Sequence, residues 1–149
     1  MSSNLLRSRT SDGLRALKPY LDEINDAVEQ PEYIVSDPVQ FMHAFSDKRD
    51  IEIAGFLAAT MAWGRRDIVN QKVEELLKRI DFEPYQFVSS YDGSEFSRFH
   101  GFRHRTFKPI DMHGLILALG EVYRRYEDFE AFWRVCRDEA RVTSRPVFS

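Results

Sequence analysis

The sequence holds a single cysteine, Cys136, so no disulfide can close within the chain and one copy cannot build a cysteine-based metal site. No stretch approaches the roughly 18–20 apolar residues of a membrane span, and residues 1–10 contain two arginines but no apolar run of signal-peptide length. These absences read as a cytoplasmic protein with no membrane partner. A strong charge of either sign is also missing. The formal net charge of −3 excludes a protein whose whole surface grips nucleic acid, while leaving room for a local basic patch. There is no internal repeat, no low-complexity tract and no convincing strand alternation. G-x-S-x-G, P-loop and G-x-G-x-x-G motifs are all absent, which removes the main sequence warrant for those enzyme classes. No catalytic residue, metal site or cofactor is expected.

What is present is material for one helical core. Hydrophobic residues make up 43% of 149 and aromatics 13%, ample for a single domain over residues 1–149, with 1–10 read as a flexible N-terminus and 143–149 as a disordered tail. Leu14, Leu17, Leu21, Ile24 and Val28 recur three and four apart, which predicts an amphipathic helix capped by Ser11 or Asp12 and either starting or bending at Pro19. Asp37-Pro38 opens a short helix through Phe41 and Phe45. In 50–63, "DIEIAGFLAATMAW", almost every position from Ile53 onward is apolar or small, so this helix is expected to be buried all round, at the centre of the fold. After Gly64 a further helix carries Ile68, Val69, Val73, Leu76, Leu77 and Ile80 on one face. Residues 81–109 read as short turns and loops. Two more helices follow, one with Met112, Leu115, Ile116, Leu119, Val122, Tyr123 and Tyr126 in register, the other with Phe129, Phe132, Trp133, Cys136 and Ala140. The expectation is an all-α, irregular orthogonal bundle of about five to seven helices around one buried central helix.

The segment 96–109, "FSRFHGFRHRTFKP", interleaves Arg98, His100, Arg103, His104, Arg105 and Lys108 with Phe96, Phe99, Phe102 and Phe107. Cations alternating with aromatics suit phosphate contacts plus base stacking, as in proteins that hold single-stranded or distorted nucleic acid. The same pattern equally suits phenylalanines that anchor a loop while the cations face water. Trp63-Gly64-Arg65-Arg66 ends the apolar helix, and its arginines could reach a phosphate or neutralise helix-end carbonyls. Asp50 and Glu52 lie two residues apart and point in different directions on a helix, so they form no acid–base pair. His100 and His104 have helical ligand spacing, but Gly101 lies between them, and any further ligand such as His43 or Asp111 would have to come from the fold.

The blocks "YIVSDPVQFMHAF", "DIEIAGFLAATMAWGRRDIVNQK" and "GFRHRTFKPID" together resemble a bacterial family catalogued as domain of unknown function 2400, with Met42 standing where proline is expected before His43. The resemblance implies that this chain is the N-terminal half of a longer family-type protein. It further implies a distant similarity to helix-hairpin-helix DNA glycosylases, whose catalytic segment would lie in the other half. In those enzymes the turn between two early helices faces DNA; here that turn is 63–67. The expected function is therefore a nucleic-acid-associated domain related to DNA-repair glycosylases, using Trp63, Arg65, Arg66, Arg103, His104, Arg105 and Lys108. The alternatives are a structural or protein-interaction module and a phosphate or small-molecule binding domain. DNA is the expected partner. A second copy is also expected, docked through apolar surface at Phe129, Phe132, Trp133, Val147 and Phe148.

Overall fold

A computed structural model describes residues 2–142, and the protein is all-α. Its helices are α1 (Ser2–Val28), α2 (Pro31–Ile34), α3 (Lys48–Met61), α4 (Arg66–Arg79), α5 (Pro84–Ser90), α6 (Pro109–Arg125) and α7 (Phe129–Val142), with 3₁₀ turns at Pro38–Ala44 and Phe96–Phe99. Among the described residues there is no strand, only an isolated bridge between His104 and Phe107. The chain divides into two compact units, Met1–Ser36 and Asp37–Ser149. The first holds α1 and the single turn α2, too little to enclose a core of its own. Ser11 and Asp12 lie inside α1 rather than capping it, because residues 2–10 contain no glycine or proline to stop the helix from growing upstream. Pro19 also lies within the helix.

In the second unit the start signals act as the sequence suggests. The Asp37 carboxylate accepts the N–H of Val39 at 3.0 Å, and that of Asp47 accepts the N–H of Arg49 at 2.8 Å where α3 begins. One side of α3 buries Ile53, Ala54, Leu57, Ala58 and Met61 against the Pro38–Ala44 turn, α4 and α5. From α4 come Val69, Val73, Leu76 and Leu77, and from α6 Met112, Ile116 and Leu119. Phe87 and Val88 of α5 and the side chains of Phe41, Phe99 and Phe102 complete the interior, and α3 is not buried all round. Its other side carries Gly55, against which the Met42 side chain packs closely, and then Ala59 and Ala62, which have little bulk. A cleft of about 400 Å³ remains there, with Asp37, Met42 and Arg66 among its lining.

Two carboxylates near the start of α3, Asp50 and Glu52, point in different directions, as their spacing predicts, and each caps a distant helix. Asp50 accepts the N–H of Tyr85 at 2.8 Å, at the start of α5. Glu52 accepts the N–H of Phe129 at 2.8 Å and of Glu130 at 3.2 Å, the first residues of α7, and the Tyr123 hydroxyl donates to it at 3.1 Å. Burial, and then the Glu52 charge, push the Tyr123 hydroxyl well above the ordinary phenol range. Beside this cap Lys48 pairs with Asp128 and Glu130, each at 2.7 Å. Phe129 packs edge-on against Phe56 at 5.2 Å and Phe132 stacks on Phe129 at 5.7 Å, while Trp133 stays exposed. Val147 and Phe148, expected in the same apolar surface, lie outside the described residues. At Gly120 the backbone of α5 comes so close that an added Cβ would stand 2.9 Å from the Val88 carbonyl oxygen, so α5 and α6 pack here only without a side chain. Among the described residues no helix is long and apolar enough to cross a membrane.

Replacing Glu52 with Ala orphans two first-turn N–H groups of α7 and the Tyr123 hydroxyl. It should cost about 2 kcal/mol of unfolding free energy, and an unchanged denaturant midpoint would show that the cap is not made. The Lys48 cluster gives a pH signature. Hydrogen bonds from Lys48 hold the carboxyls of Asp128 and Glu130 below their ordinary values. Their contribution is therefore present above the unfolded carboxylate pKa of roughly 4 and is lost as pH falls through the lowered values. Lys48→Met should flatten the fall in melting temperature below about pH 4; an acid limb as steep as that of the wild type would contradict this.

Candidate nucleic-acid interface

The cationic segment is fixed to the core before any of its charges reaches solvent. Phe99 and Phe102 are wholly buried, and Lys72 and Arg79 each stand 5.7 Å from the centre of the Phe102 ring. Arg79, in the last turn of α4, donates to the carbonyls of Arg98 and of His100, the latter at 3.0 Å. Arg98 answers with a hydrogen bond to the Arg79 carbonyl at 3.1 Å and pairs with Asp81 at 2.6 Å and Glu95 at 2.7 Å. Two of the four phenylalanines in 96–109 are therefore core anchors, not platforms for bases, and Arg98 is spent on the fold.

His104 is a second correction. It is 3% exposed, and its Nε2 lies 2.9 Å from the carbonyl oxygen of Met61, the last residue of α3. A carbonyl at a helix C-terminus has no partner in the regular helix ladder, and here the oxygen takes two donors, the imidazole N–H and the Trp63 backbone N–H at 2.8 Å. This histidine cannot touch a ligand at the surface. His100 is exposed, so the two do not share a metal, and among the described residues no three His, Cys, Asp or Glu side chains come together to hold one.

With His104 pinned, the next residues form a tight turn in which the backbones of His104 and Phe107 exchange hydrogen bonds of 3.2 and 2.8 Å. Arg105 at its tip adopts φ +55° and lays its guanidinium over Gly64. Gly64 has φ +124°, which side-chain-bearing residues rarely adopt, and a Cβ there would displace that guanidinium, so glycine suits both turn and contact. The loop around Arg105 and the turn between α3 and α4 thus form one surface, although 41 residues separate Gly64 from Arg105 (105 − 64).

On that surface the cations differ in how they are employed. Arg65 grips Asp67 through two hydrogen bonds, 3.1 and 2.6 Å, which holds the Asp67 carboxyl below its usual range. Arg66 approaches Asp37 only to 3.8 Å. Arg103, Arg105 and Lys108 are exposed and, among the described residues, pair with no carboxylate. Every cation of α3 and α4, by contrast, has an acidic partner. The positive end of the α4 dipole adds to the same field. Trp63 is 52% exposed beside Gly64. Six of the seven residues expected at the site therefore lie on the surface of the turn or loop, and His104 is the exception. The overlap of Arg105 with Gly64 has no local sequence signal beyond a glycine at a helix end.

Replacing His104 with Ala should lower unfolding free energy by about 1–3 kcal/mol and raise hydrogen exchange selectively in residues 101–108. Unchanged protection there would mean that the loop is anchored by something else.

A family model described as protein of unknown function, DUF2400, matches residues 37–146, starting at the first residue of the second compact unit. No curated protein matches the chain, and no solved structure does. The loop 101–108 and the turn it covers both fall inside the matched region, and the chain belongs to the DUF2400 family.

Proposed function

We propose that this chain is a nucleic-acid-associated domain that holds phosphates with Arg103, Arg105 and Lys108, beside the turn at Trp63, Gly64, Arg65 and Arg66. The observation that carries the reading is the run of three exposed cations in the loop with no carboxylate partner among the described residues, one of them seated on the turn between α3 and α4. A cation without a carboxylate keeps its full charge and all its donors, and a guanidinium matches the oxygens of a phosphate two at a time. Arg65 and Arg66 add to the grip by exchanging Asp67 and Asp37 for phosphate. Exposed pairs of that kind are worth about 0–1 kcal/mol, so the exchange costs little. With a net charge of −3 the attraction is local, confined to this face.

The distant kinship with helix-hairpin-helix DNA glycosylases belongs to the same proposal, since the turn from 63 to 67 is the counterpart of the one that faces DNA there. The role assigned to this chain is binding, without a catalytic residue.

Anisotropy of a labelled oligonucleotide, titrated at several salt concentrations, tests the reading. Binding should weaken linearly in log–log form as salt rises, and the combined Arg103→Gln and Arg105→Gln change should flatten that slope by about one unit per lost phosphate contact. Absence of binding at about 50 mM salt, where counterion release favours it most, would overturn the proposal in favour of a structural or protein-interaction module.

A further inference from the structure

We infer that the nucleic acid taken by this surface is single-stranded, and that Trp63 is the platform on which one of its bases stacks; this deepens the phosphate-binding reading above and rests on it. The chain has two tryptophans, and both are about half exposed. Trp133 is engaged with its neighbours, edge-on to Phe129 at 5.9 Å and tilted against Phe132 at 5.3 Å. The Trp63 ring meets no other ring and no cation among the described residues, and it is 52% exposed. Half of this large ring is therefore open to a stacking partner, and it adjoins the glycine on which Arg105 lies.

The platform has a firm base. The Trp63 backbone N–H donates to the Met61 carbonyl at 2.8 Å, the same oxygen that receives the His104 hydrogen bond. Ring and cationic loop are therefore referred to one fixed point at the end of α3. The phenylalanines that might have shared the task are engaged elsewhere: Phe99 and Phe102 are wholly buried, Phe107 is half-buried against the core, and Phe96 packs edge-on against His100 and His113. Charge from the loop and one free aromatic at the turn are the two components that sequence-tolerant binding of single strands combines. Inside a duplex both faces of a base are covered by its neighbours, so an indole gains a face only where the strand is unpaired. Stacking on one ring also reads no base edge, so the expected specificity is for strandedness and not for sequence.

The probes are an oligothymidylate of about 15 nucleotides, the same strand in a duplex, and inorganic polyphosphate, each titrated at low salt with affinities read by anisotropy or calorimetry. A Trp133→Phe protein isolates the Trp63 emission. The single strand should quench that emission. Trp63→Ala should weaken single-strand binding roughly tenfold and leave polyphosphate affinity unchanged, and Trp63→Phe should restore most of the loss. Equal single-strand affinity in Trp63→Ala and wild type, or equal quenching by the duplex, would overturn the stacking inference while leaving the phosphate grip standing. Failure of all three probes to bind would overturn both.

Discussion

One buried hydrogen bond decides where the cations of this domain stand: the His104 ring donates Nε2–H to the Met61 carbonyl at 2.9 Å. The direction is fixed by chemistry, since a carbonyl can only accept, so this ring nitrogen carries the hydrogen. At 3% exposure neither group has ready access to water, and breaking the bond leaves a helix-end acceptor and an imidazole donor partly unsatisfied. The same carbonyl receives the Trp63 N–H. Loop and turn are thus tied to one atom, and the placement of Arg105 over Gly64 follows from that tie together with the missing Cβ of the glycine.

The other end of α3 is secured by the same kind of exchange with the charges reversed. Asp50, which the dipole of α3 already favours in its first turn, caps α5, and Glu52 just beyond that turn caps α7, so the two carboxylates also satisfy the first N–H groups of two later helices. Glu52 is mostly buried and accepts three hydrogen bonds, so its oxygens are not left without partners away from water. Held by its carboxylates at one end and a carbonyl at the other, α3 sets the positions of α5, α7 and the cationic loop. Its small-residue side leaves a cleft next to the turn instead of a packed core.

The helical periodicities were legible in the sequence because they are local. Val69, Val73, Leu76, Leu77 and Ile80 are buried as their spacing predicts, as are Met112, Ile116 and Leu119. Ile68, expected on that face, is 40% exposed, because one residue's step of about 100° carries it round the helix from the buried Val69. The caps supplied by Asp50 and Glu52 span 35 and 77 residues, and no pattern within a window of one helix announces them. The cationic segment shows the same limit. Alternation of charge and phenylalanine looks alike whether the rings face inward or outward, and only the fold assigns Phe99 and Phe102 to the core. His104 was misplaced for a related reason: its donor is needed by a carbonyl 43 positions earlier in the chain. What the local pattern did show was each part by itself, a tryptophan-glycine-arginine turn and a basic loop; that Arg105 meets Gly64 comes from the fold.

The anchoring at the end of α3 can be seen directly by nuclear magnetic resonance of ¹⁵N-histidine-labelled protein. For His104 a distinct Nε2–H proton, slow to exchange with solvent and coupled through the hydrogen bond to Met61, is the expected result. A His104 ring whose N–H protons exchange as fast as those of the exposed His100 would contradict the anchoring, and with it the placement of the cationic loop on the turn.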